Sequence, residues 1–199
     1  MKKKLFFSLL ILVSLLIWVM LYNDSYNNQN VNNETKNILN ENFDYTTLLS
    51  HRGDRLSKSD FLGYPILVFF GFTHCPDVCP NTLYKLSRIV KNIGNKSSYY
   101  KFYFITLDPD RDTVEKLSSY MINFNDKIVG ITGTSLNIEN LLNKFNVYRE
   151  FVHMDNGQYS IDHTASIYLL DKNGNFYATI SYNEDDKVAL NKISSLLKK

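Results

Sequence analysis

The sequence predicts an α/β protein, a mixed sheet flanked by helices on both faces, carried behind an N-terminal transmembrane anchor. Three observations predict it. β-rich apolar runs alternate with runs of helical period up to Phe145, after which the period changes to strands joined by an Asn-Gly turn. The only two cysteines, Cys75 and Cys79, stand between the strongest apolar run and the helical run that follows it. At 199 residues there is room for one domain with extensions. The 22 basic and 20 acidic residues give a formal charge of +2, with no basic stripe and no aromatic–basic interleaving, so nucleic acid is excluded as a partner. The 14 Tyr and 13 Phe fall mainly inside apolar strand-like runs, where core packing accounts for them.

Lys2, Lys3 and Lys4 precede an uninterrupted apolar stretch over residues 5–21. As a helix it spans about 26 Å, near the lower limit for a bilayer core of about 30 Å. Trp18, Met20, Leu21 and Tyr22 stand where a cleaved signal peptide has small residues, which favours a retained anchor over residues 1–22. The lysines stay on the cytoplasmic side, so the expected location is a bacterial inner membrane, single-pass, with the soluble part in the periplasm. Residues 23–42 are Asn-rich without apolar periodicity and read as a linker reaching on the order of 25 Å.

The globular part is expected over residues 43–199. Asp44–Leu49 and Asp54–Asp60 read as a short entering hairpin, and Tyr64–Phe72 as a central strand buried on both faces. Leu83, Leu86, Ile89, Val90 and Ile93 give Asn81–Ile93 a helical face. Lys101–Leu107 is the next strand, and Asp112 with Glu115 resembles a capping box opening a helix to Phe124. Lys127–Ile131 is a strand and Ser135–Phe145 a helix. Val147–Met154 and Ala165–Leu170 are strands, the latter turning through Asn173-Gly174 into Phe176–Ser181. Glu184–Leu197 closes the chain as an amphipathic helix. With a cysteine pair at the first strand–helix junction, this arrangement resembles the thioredoxin fold.

The cysteine loop is the candidate site. A loop that opens a helix presents backbone N–H groups and the positive end of the helix dipole, which favours thiolates; a cysteine near 8.5 can fall to roughly 3.5–7.5 there. Pro80 belongs in a first helical turn, so the helix is expected to begin near it, leaving Cys75–Cys79 as a tight loop. Two sulfurs there can close into a disulfide or share one soft metal ion. A structural staple across so short a loop would stabilise little. His163, in Asp162-His163-Thr164 at the mouth of a core strand, is the candidate third ligand; thioredoxins hold a proline at this place. His74 is a rival whose side chain is expected to point away from that of Cys75, and His51 and His153 read as solvated. Asp108 ends the strand beside the cysteine strand. It serves either as a carboxylate that reaches the site's edge and supports the ligands or as a capping or turn residue ahead of Pro109. Asp110, Arg111 and Asp112 read as exposed loop ion pairs worth at most about 1 kcal/mol.

Three blocks, Gly71-Phe72-Thr73-His74-Cys75-Pro76-Asp77-Val78-Cys79-Pro80, Thr106-Leu107-Asp108-Pro109-Asp110-Arg111-Asp112-Thr113 and Asp162-His163-Thr164-Ala165-Ser166-Ile167-Tyr168-Leu169, resemble the signatures of the Sco/SenC family of copper-binding assembly factors. The resemblance covers roughly Phe43 to the C-terminus and implies one copper ion, Cu(I) or Cu(II), held by Cys75, Cys79 and His163, with Asp108 supporting them. It implies a copper chaperone assisting the binuclear copper site of cytochrome c oxidase. The implied partners are the copper-receiving oxidase subunit and a thiol reductant or upstream copper donor, with the membrane engaged through residues 5–21. The alternative is a thiol–disulfide oxidoreductase that reduces that subunit's cysteines with Cys75 and Cys79 as its redox pair. Such enzymes normally use Cys-x-x-Cys with proline opposite, and a peroxidase-like relative would need one activated cysteine rather than two.

Overall fold

The computed structural model describes residues 15, 17–20, 39, 43–155 and 157–199. The expected anchor and linker lie almost wholly outside them. Leu15 and residues 17–20 are helical and exposed, and among the described residues no helix is long and apolar enough to cross a membrane. The chain divides into a unit of Met1–Lys36 and a compact unit of Asn37–Lys199.

The second unit runs β1 (Leu49–Ser50), α1 (Lys58–Phe61), β2 (Ile66–Gly71), α2 (Val78–Ile93), β3 (Lys101–Thr106), α3 (Val114–Met121) and β4 (Ile128–Thr132). It continues α4 (Ser135–Phe145), β5 (Arg149–His153), β6 (Tyr159–His163), β7 (Ser166–Leu170), β8 (Phe176–Ser181) and α5 (Asp186–Leu196). Six strands form one mixed sheet in the order β1-β4-β3-β2-β7-β8, with β2, β3 and β4 parallel and the outer strands antiparallel. β5 and β6 form a separate antiparallel ribbon.

β2 is central, and every one of its residues is buried, which is why its sequence is an unbroken apolar run rather than an alternating one. Each fully buried Leu, Ile or Phe there contributes about 1.5–3 kcal/mol. α2 turns Leu83, Leu86, Ile89 and Val90 onto the sheet and stops at Gly94, whose φ of +62° suits a residue without Cβ. The last residue of β2 is Gly71. A Cβ there would stand 2.8 Å from Phe104 Cε2 and 2.9 Å from Cys79 Sγ, so the bare backbone makes room for the second cysteine.

Four local differences from the sequence reading have physical causes. The entering hairpin shrinks to a bridge between Leu49 and Arg55, because Asp44 caps a 3-10 turn at Tyr45–Thr47 and Asp60 accepts from the Ser57 N–H to start α1. α2 begins at Val78, ahead of Pro80, so Cys79 lies inside the first turn; a proline at the third helical position loses no bond, since that N–H has no intrahelical acceptor. No Asp112–Glu115 capping box forms: Thr113 caps α3 by accepting from the Lys116 N–H, and Asp112 faces inward. His51 is not simply solvated, since its Nδ1 accepts from the Gly130 N–H at 3.0 Å. The ribbon's second strand, β6, has no counterpart in the sequence reading.

Candidate metal centre

The parallel strands deliver their C-terminal ends, and β7 its start, to one end of the sheet. Cys75 lies just past the end of β2 and is half-buried, while Cys79, in the first turn of α2, is fully buried. Both are free thiols. The Cys79 N–H, one of the helix's orphan donors, points at Cys75 Sγ at 3.4 Å. The Cys75 sulfur thus caps α2 where the helix dipole favours negative charge.

His163 closes the site from the ribbon. Its Nε2 stands 3.4 Å from Cys79 Sγ, and its Nδ1 is 3.0 Å from the Thr164 carbonyl. That carbonyl only accepts, so Nδ1 donates to it and Nε2 is the ring nitrogen that faces the sulfurs. The Phe72 ring meets the imidazole edge-on at 5.9 Å and Phe69 lies at 6.3 Å, which fixes the plane of the ring. A cavity of about 350 Å³ opens over Cys75 and His163, walled by Phe72, Pro76, Tyr148 and Asp162.

The two thiols differ sharply. A hydrogen bond from the Cys79 thiol holds Cys75 well below the ordinary thiol value against the cost of burial; His163 and the Cys79 and Asp77 N–H groups help. The same bond to Cys75, together with burial, the Cys75 charge and the nearby Asp112 carboxylate, pushes Cys79 up. In the absence of metal Cys75 is thus the more acidic sulfur and Cys79 the one that keeps its proton longer.

Among the described residues, no group of three or more His, Cys, Asp or Glu side chains is already placed to hold a metal ion. The chemistry of the donor set is nonetheless that of a soft-metal site: two sulfurs and one imidazole nitrogen, with the nearest sulfur–nitrogen pair in contact and one side open to a cavity. Soft sulfurs suit Cu(I), and the imidazole adds a donor acceptable to Cu(II); zinc would call for a fourth ligand.

Asp108 is placed differently from the edge-of-site position the sequence suggested. It is buried; one carboxylate oxygen accepts from Arg111 Nε and the other from the Tyr159 hydroxyl at 2.8 Å. None of these bonds reaches a cysteine or His163. Arg111 also donates to the Tyr159 carbonyl at 3.0 Å and stacks on the Tyr159 ring at 3.6 Å. Arg149 donates to the Leu107 carbonyl at 2.8 Å and pairs with Glu139. Asp108 therefore acts on the turn end of the ribbon, at Tyr159, while Arg149 fastens the end at which His163 stands. Nor is Asp112 part of an exposed ion pair. Fully buried, it accepts from the Thr73 N–H at 3.0 Å, from Thr73 Oγ1 at 2.5 Å and from Thr106 Oγ1 at 2.6 Å, tying the cysteine loop to β3. His74 is largely exposed and lies on the Thr73–Asp112 side. Sequence reasoning missed Asp112, Tyr159 and Arg149. The available signal was that Asp112 and Arg111 lie in the same block as Asp108; nothing local marked Tyr159 or Arg149.

Fold and site together define a thioredoxin-like domain in which a Cys-x-x-x-Cys pair at a helix start faces a distant histidine. The SCO1/SenC family model matches residues 32–198, and the chain belongs to that family. It is 38% identical over 143 residues to a Sco2-like protein of Rickettsia prowazekii, covering 69% of this chain and 70% of that one. To the human mitochondrial protein SCO1 homolog it is 36% identical over 141 residues, covering 69% of this chain and 47% of the human one. The chain thus spans about half the length of the human relative. Bradyrhizobium japonicum ScoI, solved with copper bound, superposes with a TM-score of 0.69 at 31% identity, over 76% of this chain and 94% of that one.

Proposed function

We propose that this chain binds one copper ion through Cys75, Cys79 and His163 and serves the assembly of the binuclear copper site of cytochrome c oxidase as a copper chaperone. The observation that carries the reading is the convergence of an imidazole nitrogen on a cysteine pair from a position remote in sequence. Family membership and the copper-bound Bradyrhizobium neighbour support it. Copper is cargo. The cavity beside Cys75 and His163 gives an acceptor protein a way to replace ligands one at a time. The apolar stretch over residues 5–21 and the lysines before it support a single-pass tether in a bacterial inner membrane, with the copper unit in the periplasm. The proposed partners are the copper-receiving oxidase subunit and an upstream copper donor.

The test is titration of reduced Asn37–Lys199 with Cu(I) and Cu(II) beside its His163→Ala, Cys75→Ser and Cys79→Ser variants. One equivalent should bind, both serine variants should lose it, and the alanine variant should hold Cu(II) far more weakly. Retention of copper by either serine variant overturns the site.

The depressed Cys75 thiol favours a second reading, reduction of the oxidase subunit's cysteines. Cys75 thiolate attacks a partner disulfide, forming a mixed disulfide and expelling one partner thiolate. Cys79 then gives up its proton and attacks Cys75 Sγ, closing the Cys75–Cys79 bridge and releasing the second partner thiol. Two electrons pass to the partner, and a thiol reductant restores the pair. Turnover of an oxidised partner peptide without copper separates this activity from chaperoning.

A further inference from the structure

The sheet has a second end, about 20 Å from the cysteines along six residues of β2. Strand register places its side chains in a row. Arg52 follows β1 and donates to the Asp126 carbonyl at 2.7 Å, beside Lys127 at the start of β4. Lys101 begins β3, paired with Ile66 at the start of β2, and Lys172 lies in the β7–β8 turn, its carbonyl bonded to the Gly63 N–H. These four cations stand at the β1, β4, β3 and β7 positions of the sheet, and Lys96 and Lys199 extend the row from the segments after α2 and α5.

Large apolar side chains stand exposed among them: Tyr64, Tyr99, Phe176 and Leu197 are 44%, 58%, 41% and 42% exposed. Lys101 Nζ lies over the Tyr64 ring at 5.1 Å. A cavity of about 560 Å³ opens at this end between Arg52, Arg55, Lys101 and Lys127, with Ser97 and Ser98 on its wall. Of the four carboxylates here, Asp54 accepts from Ser50, Asp60 from Ser57 and Asp171 from the backbone of its own turn, while Asp126 is exposed. The cysteine end carries the exposed carboxylates of Asp77, Asp110, Glu115 and Asp162, with Asp108 and Asp112 buried and the cations Arg111, Lys116, Arg149 and Lys187 at the same end.

Helix dipoles account for part of this polarity, since α2 and α5 both run from the cysteine end to the basic end, and lysines are favoured at helix C-termini. They do not account for Arg52, Lys101, Lys127 and Lys172, which belong to turns and strand starts, nor for the exposed aromatics. Cations interleaved with half-exposed Tyr, Phe and Leu are what a bilayer interface selects: ammonium and guanidinium groups meet lipid phosphates while amphipathic rings enter the headgroup layer.

We infer that the end of the domain opposite the cysteines docks on an anionic phospholipid surface. Docked so, the domain turns Cys75, Cys79 and His163 away from the bilayer. The inference does not depend on copper binding or on residues 5–21.

Vesicle sedimentation tests it. The unit Asn37–Lys199 has its own core, and the Bradyrhizobium structure is matched over 94% of its length by 76% of this chain. Copper-free Asn37–Lys199 should partition at least about tenfold more onto vesicles of phosphatidylcholine with roughly one third phosphatidylglycerol than onto phosphatidylcholine alone, and lose that preference in about 0.5 M salt. The triple variant Lys96→Glu, Lys127→Glu, Lys172→Glu should lower partitioning at least about tenfold, whereas Lys116→Glu with Lys187→Glu at the other end should leave it within about twofold. Should the triple variant lose its folded circular dichroism, Gln at the same positions serves, with a severalfold loss expected. Equal binding to both vesicle types, an unchanged triple variant, or tighter binding to a DNA duplex than to the anionic vesicles at the same salt overturns the inference.

Discussion

Cys79 Sγ and His163 Nε2 lie 3.4 Å apart although 84 positions separate the two residues in the chain. One stands in the first turn of α2 and the other at the last residue of β6. Their meeting depends on how the β5–β6 ribbon is fastened to the sheet, and the predictions below follow from that fastening and from the cysteine loop.

Replacing the imidazole should change metal selectivity more than stability. His163 is only partly buried, so His163→Ala should shift the unfolding midpoint little. Cu(II) affinity should fall by about 100-fold or more and Cu(I) affinity by about tenfold, because two soft sulfurs still serve Cu(I). Competition titrations with chelators for each oxidation state provide the check.

Breaking the ribbon's fastening should loosen His163 without touching a ligand. Arg111→Ala leaves the Asp108 carboxylate buried without its cation, a loss of about 3–5 kcal/mol, reduced by the partial exposure of Arg111. Tyr159→Phe removes one hydrogen bond to Asp108 and should cost about 1–2 kcal/mol. Urea unfolding gives the energies. Hydrogen exchange should speed up first at Tyr159–His163, and Asp108→Asn in the Arg111→Ala background should restore part of the loss. Exchange unchanged in the ribbon would remove the positioning role.

The metal-free cysteines should react unequally and with unusual pH dependence. A free thiol near 8.5 loses about 80-fold in thiolate between pH 8 and pH 6. Cys75, held below that value, should be alkylated by iodoacetamide at nearly the same rate at both, with Cys79 untouched until the chain unfolds. The stability consequence has a definite sign. A thiol whose folded value is depressed adds stability in full above the unfolded value, and that contribution fades as pH falls through the folded one. Metal-free protein should therefore weaken on acidification. Mass spectrometry of labelled peptides decides which sulfur reacts.

Gly71→Ala should damage fold and site together. The new methyl would sit 2.8 Å from Phe104 Cε2 and 2.9 Å from Cys79 Sγ, both fully buried, so neither can withdraw freely. Overpacking of this kind costs about 1–3 kcal/mol. Copper affinity should fall as Cys79 is displaced, which thermal unfolding and Cu(I) titration measure side by side.

Much of the fold can be read from local pattern. β2, α2, α4 and β8 stand within a residue or three of where apolar periodicity puts them, since each is fixed by a strand or helix period and bounded by Gly or turn residues. β6 escaped because Tyr159–His163 mixes two aromatic rings with Ser160 and Asp162 and packs on one strand alone. Asp112 escaped because its spacing to Glu115 imitates a cap, while the energy lies in three bonds from Thr73 and Thr106. The basic end was illegible for a similar reason. No two of Arg52, Lys101, Lys127 and Lys172 are neighbours in sequence, and only sheet order gathers them.

By itself the sequence determined the alternation of strand and helix, the placing of two thiols at a helix start, and the candidacy of His163, because these follow from side-chain period, proline and glycine positions and the chemistry of a few residue types. Only the tertiary structure decided which thiol is the more acidic, that Asp108 braces the ribbon rather than the sulfurs, and that Arg52, Lys101, Lys127 and Lys172 gather at one end of the sheet. Those outcomes depend on burial, on hydrogen bonds a few ångströms long and on strand order, and each sums groups that the chain keeps apart until it folds.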